Sequence, residues 1–271
     1  MESIAITQFT TLGHPHRLAV FRLLMRHYPD AMSAGDIAAA LTLKPSTLSV
    51  YLAALRQSGL IVQERLGTSL LYRTDMAGAE ALVGYLVDDC CRARPLCNGP
   101  ILETGTLMTR SFNVLFLCAA NSARSIMAET ILRAQGPQFN TFSAGTVPST
   151  LNPDAVALLR SKGHDVDGLR SKSVEEFRAS DAPQMDFVFT VCDQAANEEC
   201  PAWSGQPISG HWGQPDPVKA TGTEAERALA FQTAYAILKH RIGAFAALPL
   251  NTLDRMSLQS SVDDIAQMRL P

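Results

Sequence analysis

Residues 113–130, NVLFLCAANSARSIMAET, decide how the second half of the chain folds. The stretch begins as an apolar run, which is typical of a buried strand, and ends with helical spacing. Cys118 closes the strand, and Arg124 follows six positions later, where the helix begins. A strand-to-helix loop directs backbone N–H groups inward, and the helix N terminus adds partial positive charge, so the loop predicts an oxyanion site. The residues predicted to hold the oxyanion are Ala119, Ala120, Asn121, Ser122, Ala123 and Arg124.

Cys118 is predicted to be a nucleophile that faces this oxyanion. Helix N termini and neighbouring cations favour the thiolate, which is the reactive form of cysteine. The guanidinium of Arg124 matches the geometry of an oxyanion, and Ser125 is a further hydrogen-bond former beside the loop. A Cys-x5-Arg pair is common by chance, and a cysteine that ends a buried strand is usually a small apolar residue. The strand–loop–helix context favours the catalytic interpretation over the packing one.

Strands and helices alternate after this stretch and predict an α/β domain over residues 112–271. Such alternation is typical of a parallel sheet covered by helices on both faces. Ligands of open parallel sheets bind beyond the carboxyl ends of the strands. Cys118 and Cys192 each follow an apolar strand segment, NVLFLC and DFVFTVC. We therefore expect the two thiols at one edge of the sheet.

Residues 1–94 have a different pattern, which predicts a winged helix-turn-helix, mainly α with a β-hairpin wing. Helical spacing appears around residues 18–25, in SAGDIAAAL and in KPSTLSVYLAALRQSGL, where Pro45 suits a helix start. A hairpin is predicted from residues 60–64 and 69–73 around Gly67, and a further helix over roughly 77–93. Residues 95–111 contain several prolines and glycines without sustained periodicity, and they form the predicted linker.

The composition is that of an ordinary soluble globular protein, with 46% hydrophobic residues, 18% charged residues and a net charge of -3. No apolar run reaches membrane-spanning length, and the first residues resemble neither a signal peptide nor a transit peptide. These features predict a cytoplasmic protein that does not associate with a membrane. In a reducing cytoplasm the six cysteines are better explained as ligands or catalysts than as structural disulfides.

The stretch VLFLCAANSARSIMAE resembles the phosphate loop of the low-molecular-weight protein tyrosine phosphatase family, and most of all the branch that reduces arsenate. That family carries an Asp-Pro pair late in the chain, which HWGQPDP supplies as Asp216 and Pro217. The resemblance implies that Asp216 is the general acid. The phosphatases usually follow this pair with tyrosines that line a phosphotyrosine cleft, whereas this chain has Val218 and Lys219. That departure favours arsenate, a small inorganic substrate.

Two further cysteines distinguish a reductase from a phosphatase. Hydrolysis of a phosphate monoester needs Cys118, Arg124 and Asp216 alone, whereas arsenate reduction needs two electrons, which thiols supply by forming a disulfide. The segment TVCDQAANEECPAW offers Cys192 and Cys200. We predict that Cys192 attacks Cys118, that Cys200 then attacks Cys192, and that thioredoxin, or glutathione with glutaredoxin, reduces the product. No tightly bound cofactor is expected; if both cysteines are only buried thiols, the domain is a phosphatase.

The winged-helix pattern, with LGHPHRLAVFRLL leading into it, resembles the ArsR/SmtB family of metal-responsive repressors. These proteins are dimers that place the second helix of the motif in the major groove of DNA. The resemblance implies a homodimer, formed through the N-terminal domain, on a DNA operator. A winged helix used only for dimerisation is the alternative. The implied DNA-binding residues are Ser46, Thr47, Ser49 and Tyr51 on the helix at 45–57, and Arg65 and Thr68 on the wing.

The segment VDDCCRARPLC contains Cys90, Cys91 and Cys97, which predict a site for arsenite or antimonite as inducer. Three soft thiolates suit pyramidal arsenite, whereas zinc takes four ligands. Adjacent residues on a regular helix point about 100° apart, so Cys90 and Cys91 reach one ion only if the helix unwinds. Three incidental thiols are the alternative.

Together the motifs predict an arsenite-responsive repressor fused to an arsenate reductase. The product of the second domain would then be the inducer of the first. Two alternatives stay open. One is a phosphatase with a regulatory DNA-binding head, and the other is a transcription factor whose second domain only binds an oxyanion.

Overall fold

A computed structural model describes residues 2–90, 111–179, 181–198, 203 and 205–270. They belong to two compact units, Met1–Leu107 and Met108–Pro271. Within the described ranges, no single helix has the length and apolar character needed to cross a membrane. The bent pair Ala34–Ala40 and Pro45–Gln57 meets that requirement jointly, by length and composition only.

The first unit is a winged helix-turn-helix. Its strands pair antiparallel in the order β1-β3-β2. Its described helices are α1 (Glu2–Leu12), α2 (Pro15–His27), α3 (Ala34–Ala40), α4 (Pro45–Gln57) and α5 (Met76–Gly84), and its strands are β1 (Met32–Ser33), β2 (Ile61–Leu66) and β3 (Ser69–Thr74). Local chemistry fixes the helix starts, since Ser33 accepts from the amide of Asp36 and Pro45 occupies the first turn of α4. Buried leucines, among them Leu23, Leu48 and Leu55, form the core of this unit.

Two helices of the first unit differ from the sequence prediction. Helix α1 was not predicted, because its buried positions include Gln8 and Thr11 while Ile4 and Ile6 are exposed. No apolar stripe therefore faces the core, and helical periodicity gives no signal. The helix predicted over 77–93 is α-helical only to Gly84 and continues as a π-helix, Tyr85–Cys90. Glycine at this junction is a poor helix former.

The second unit is built on a parallel four-stranded sheet in the order β5-β4-β6-β7. The sequence prediction of an α/β fold with a parallel sheet is confirmed. The strands are β4 (Phe112–Cys118), β5 (Phe139–Gly145), β6 (Phe187–Thr190) and β7 (Ile208–His211), and the described helices are α6 (Arg124–Arg133), α7 (Pro153–Ser161), α8 (Asp193–Asn197), α9 (Glu224–Ala246) and α10 (Arg255–Ala266).

Strand β7 was missed from sequence because ISGH has a single strongly apolar residue. Tertiary packing forms it instead. A side chain at Gly210 would collide with α10, since an added Cβ would lie 2.6 Å from Val262 Cγ1. Trp212, which follows β7, stacks on Phe189 with 4.0 Å between ring centroids, and its indole N–H donates to the carbonyl of Val262. These contacts hold β7 in the sheet and place the segment that follows it.

Candidate active site

Cys118 and Cys192 lie at the carboxyl ends of two adjacent parallel strands. Leu117 of β4 pairs with Thr190 of β6, and the amide of Val191 donates to the carbonyl of Leu117 at 2.8 Å. The cysteines follow these positions directly, and each is 3% exposed. The sheet thus brings the two thiols to one edge.

The loop after β4 curves around the thiol of Cys118. The amide of Asn121 donates to Cys118 Sγ at 3.1 Å, and Ser125 Oγ lies 2.8 Å from the same sulfur. Asn121 has a left-handed φ of 47°, which asparagine tolerates better than most residues. The loop is held from outside through its carbonyl groups: those of Ala119, Ala120 and Ser122 accept from the amides of Val147, Ser149 and Asn152.

A buried polar network supports this loop from below. The side-chain amide of Asn121 donates to Ser125 Oγ at 2.9 Å and to Ser143 Oγ at 2.8 Å. Its carbonyl oxygen accepts from the backbone amide of Lys172 at 2.6 Å. Ser143 donates to Glu129 Oε2, and Lys172 Nζ donates to the same oxygen at 2.9 Å. We call Asn121, Ser143, Glu129 and Lys172 the Asn121 network.

No sequence motif indicates Glu129, Ser143 or Lys172 as part of the site. These residues lie on α6, on β5 and before the short 3-10 helix Val174–Phe177, so no local motif unites them. One signal was available: Glu129 is an acidic residue inside the otherwise uncharged run SIMAETIL. A charged residue in a buried helix is almost always paired, and that rule would have marked Glu129 as part of a polar cluster.

Gly145 ends β5 directly beside the loop. It pairs with Cys118 in the sheet register. An added Cβ would lie 2.8 Å from the carbonyl oxygen of Ala119 and 2.9 Å from the amide nitrogen of Asn121. The backbone of β5 therefore packs against the loop at a distance that leaves no space for a side chain.

Arg124 joins the loop to the HWGQPDP segment. Its Nη2 forms an ion pair with Asp216 Oδ2 at 2.8 Å, and its Nη1 donates to the carbonyl of Gln214 at 3.0 Å. The other oxygen of Asp216 accepts from the amide of Val218 at 3.2 Å. Both charged side chains retain some exposure to solvent. A small anion that enters the loop can therefore meet a guanidinium and a carboxyl group that already touch each other.

Cys192 caps the short helix α8 with its sulfur. Cys192 Sγ accepts from the amide of Ala195 at 3.5 Å. Burial raises the pKa of this thiol, and the nearby sulfur of Cys118 acts in the same direction. The amides of Ala195 and Ala119 and the charge of Arg124 lower the pKa of Cys192 in part. Because Cys118 and the amide of Ala119 act on it, the thiol of Cys192 lies next to the loop of Cys118. Cys200 lies outside the described residues.

The predicted DNA-binding residues lie on α4 and on the hairpin β2–β3. Ser46 and Ser49 are exposed on α4, where Ser49 Oγ donates to the carbonyl of Ser46 at 2.8 Å, and Thr47 is half-buried. Arg65 and Thr68 are exposed, the first at the end of β2 and the second in the turn. These positions leave the polar side chains of Ser46, Ser49, Arg65 and Thr68 accessible.

Tyr51 and Cys90 have surroundings that the sequence did not indicate. The half-buried ring of Tyr51 stacks on His16, with 5.8 Å between centroids and 23° between planes, and His14 lies beside both. Cys90 is exposed at the end of the π-helix. Cys91 and Cys97 lie outside the described residues, as do residues 95–110 of the linker predicted at 95–111. The predicted arsenite site is therefore described at one of its three thiols.

Comparison with known proteins identifies relatives of both units. Residues 113–257 match the family of low molecular weight phosphotyrosine protein phosphatases, and residues 12–64 match a helix-turn-helix domain. An arsenate reductase of Bacillus licheniformis is 37% identical over 134 residues, which cover 49% of this chain and 94% of that protein. A glutaredoxin arsenate reductase of Synechocystis sp. is 34% identical over 105 residues, or 38% of this chain and 77% of that protein. A solved arsenate reductase in the phosphate binding state is 29% identical with a TM-score of 0.43, covering 50% of this chain and 97% of that chain.

Proposed function

Because the chain belongs to the low molecular weight phosphotyrosine protein phosphatase family, whose model matches more than half of its residues, we propose that its second unit reduces arsenate to arsenite. One observation carries this proposal: a second buried thiol, Cys192, lies next to the loop that surrounds Cys118. Hydrolysis of a phosphate ester has no use for this thiol. The likeness to relatives named arsenate reductase supports the same function.

The first step forms an arsenic–sulfur bond. The thiolate of Cys118 attacks the arsenic atom of arsenate held by loop 119–124, and one As–O bond breaks. The oxygen that leaves is a hydroxyl group of arsenate, and it becomes water by taking one proton from the acid form of Asp216, which contacts the same guanidinium that binds the anion. Loop amides and Arg124 stabilise the charge on the remaining oxygens. Arsenic stays in oxidation state V during this step.

The second and third steps transfer two electrons. The thiolate of Cys192 attacks Cys118 Sγ, so an S–S bond forms and the S–As bond breaks. The electron pair of that bond stays on arsenic, which leaves as arsenite in oxidation state III. The thiolate of Cys200 then attacks Cys192 Sγ and releases Cys118 as a thiolate. An external dithiol of the thioredoxin or glutaredoxin type reduces the Cys192–Cys200 disulfide.

The decisive variant is Cys192→Ser. Purified protein is assayed for arsenite formation with thioredoxin and, separately, with glutathione plus glutaredoxin, and for hydrolysis of p-nitrophenyl phosphate. We expect Cys192→Ser to lose arsenate turnover by more than about 100-fold and to retain hydrolysis. Cys90→Ser is the matched control, because it removes a thiol from the other unit. Arsenate turnover that survives in Cys192→Ser would exclude the relay. A wild-type protein that hydrolyses the ester but reduces no arsenate would be a phosphatase.

We propose that the first unit is an arsenite-responsive repressor. The helix-turn-helix match and the accessible polar side chains on α4 and the wing support binding to an operator. Arsenite bound by Cys90, Cys91 and Cys97 must then favour a DNA-incompetent form, because only differential affinity shifts a two-state equilibrium. A mobility-shift assay on the protein's own promoter, with and without arsenite, tests this. Unchanged release in a Cys90→Ser/Cys91→Ser variant would count against it.

A homodimer through the first unit is part of this proposal. Ile4 and Ile6 on α1 are 61% and 55% exposed, and Val83 on α5 is 59% exposed. Gln8 Nε2 donates to the carbonyl of Gly78 and holds α1 on α5. Exposed apolar side chains on two packed helices fit a second copy of the chain. Sedimentation velocity compares the oligomeric state of Ile4→Glu with that of wild type and so tests this interface.

We place the protein in the cytoplasm, where free thiols persist.

A further inference from the structure

The buried imidazole of His211 contacts one residue before Cys192 and one residue after it. His211 is the last residue of β7 and is 2% exposed. Its Nδ1 lies 2.8 Å from Thr190 Oγ1, and its Nε2 lies 3.2 Å from Asp193 Oδ1. Thr190 precedes Cys192 by two residues and Asp193 follows it directly. We call Thr190, His211 and Asp193 the imidazole clamp.

The bonding capacity of the three side chains fits this arrangement. An ionised carboxylate only accepts hydrogen bonds, so Nε2 of His211 donates to Asp193. In the neutral ring Nδ1 then accepts from the hydroxyl of Thr190, and in the charged ring it donates to that hydroxyl. Both contacts therefore exist in either protonation state of His211.

The backbone that leads to Asp216 covers the clamp. An added Cβ at Gly213 would lie 2.6 Å from His211 Nε2 and 3.0 Å from Asp193 Oδ1. The carbonyl of Gly213 accepts from Arg241 Nη1 at 3.2 Å, which fixes this backbone to α9. The backbone at Gly213 therefore packs directly against the contact between His211 and Asp193. The clamp connects the turn of Cys192 with the segment that carries the acid.

We propose that His211 is a positioning residue for the second step of the reduction, an inference that rests on the reductase function proposed above. Attack of one sulfur on another needs alignment as well as proximity. The amides of Ala195 and Ala119 donate to the sulfur of Cys192, the first at a distance of 3.5 Å, and α8 is five residues long. Two weak bonds from amides to sulfur do not fix the backbone of Cys192, so its alignment with Cys118 also depends on the residues on either side of it. His211 holds both of them.

The test uses the exposed end of the clamp, because Asp193 is 76% exposed and its replacement does not endanger the core. For Asp193→Ala we expect kcat for arsenate to fall about tenfold, the equivalent of one hydrogen bond to a charged group, while KM for arsenate stays unchanged. Hydrolysis of p-nitrophenyl phosphate should stay unchanged, since it does not use Cys192. Asp193→Asn, which keeps an acceptor oxygen, should retain most of the rate. Gln194→Ala, the next exposed position on α8, is the matched control.

Two results would overturn the role of the clamp. One is an Asp193→Ala protein that reduces arsenate as fast as the Gln194→Ala control. The other is a parallel loss of reduction and hydrolysis, which would mean a purely structural role. His211→Asn provides a second measurement, with the same selective loss expected. A wild-type protein that hydrolyses the ester but does not reduce arsenate would reject the reductase function and, with it, the role of the clamp.

Discussion

Cys118 and Cys192 occupy equivalent places in the sheet but have different surroundings. Each follows a parallel strand, and the two are equally buried. The sulfur of Cys118 has two close polar partners, Asn121 N and Ser125 Oγ, in a loop supported by the Asn121 network. The sulfur of Cys192 accepts from the amides of Ala195, at 3.5 Å, and Ala119, and burial raises the pKa of this thiol. The surroundings suit one thiol that meets the substrate first and another that acts only on the adduct.

The residues that support the loop of Cys118 and those that support the turn of Cys192 also differ. Behind Cys118, four buried side chains from separate parts of the chain bond to one another. Beside Cys192, the imidazole of His211 contacts Asp193, and the side chain of Asp193 is exposed. A rigid anion site and a lightly held second thiol are what a relay needs. Four predictions test this difference, from the largest expected effect to the smallest.

Replacing Cys118 should abolish both arsenate reduction and ester hydrolysis, whereas replacing Cys192 should abolish reduction alone. For Cys118→Ser we expect arsenate reduction and hydrolysis of p-nitrophenyl phosphate to fall by more than about 10⁴-fold, because both begin with attack by this sulfur. Steady-state assays of the two substrates measure this, with circular dichroism as a check of folding. Hydrolysis that persists in Cys118→Ser would remove the distinction between the two cysteines.

Loss of the Asn121 network should destabilise the second unit. Lys172→Met leaves Glu129 buried with Arg133 as its remaining described ionic partner, and we expect a loss of about 3 kcal/mol in the free energy of unfolding. Both tryptophans, Trp203 and Trp212, lie in this unit, so urea unfolding followed by tryptophan fluorescence reports on it alone.

Lys239→Met is the matched control for this stability measurement, because Lys239 is exposed on α9. Equal midpoints for the two variants would contradict a supporting role for the network. A loss confined to Lys172→Met would confirm that the stability of the second unit depends on the buried ion pair between Lys172 and Glu129.

Ser125→Ala should slow the first step. The variant removes the hydroxyl 2.8 Å from Cys118 Sγ, and hydrogen bonds to charged groups correspond to a loss of roughly 10- to 100-fold in rate. We expect hydrolysis and arsenate reduction to fall together, since both pass through this step. Ser149→Ala, at an exposed position outside the loop, is the control. A selective loss of reduction would assign Ser125 to the second step instead.

The pH dependence of the two reactions should differ. Burial raises the pKa of Cys192, so its thiol is protonated at neutral pH, and the thiolate fraction grows about tenfold per pH unit below that pKa. Where the second step limits turnover, kcat for arsenate should rise with pH between 7 and 9. Hydrolysis, which does not need Cys192, should show no such rise. Parallel profiles for the two substrates would contradict the assignment.

Local patterns in the sequence predicted most of the fold. Apolar runs that end in cysteine, NVLFLC and DFVFTVC, correspond to β4 and β6, and periodic leucines correspond to α4. The winged helix and the α/β fold are confirmed. Helix α1 and strand β7 were missed, because the buried face of α1 is partly polar and β7 has little apolar character of its own.

The site was predictable only where its residues are close in sequence. The loop 118–125 forms one continuous motif, so a single stretch indicates its chemistry. The Asn121 network and the imidazole clamp join residues from different elements. His211 contacts Asp193 across 18 positions, and Lys172 contacts Glu129 across 43. Such contacts depend on strand order and register, which a pattern of residues does not specify.

The sulfur of Cys192 is also the cap of α8. In the proposed reaction this sulfur becomes half of a disulfide with Cys118, and a neutral disulfide sulfur is a weaker acceptor for the amide of Ala195 than a thiolate. A helix of five residues has little stability of its own, so it should fray more readily once the cap is weakened. Each turnover would thus loosen α8, which follows Cys192 directly, at the moment when the third thiol must approach the second. The timing of that movement is set by bond formation itself, without a separate trigger.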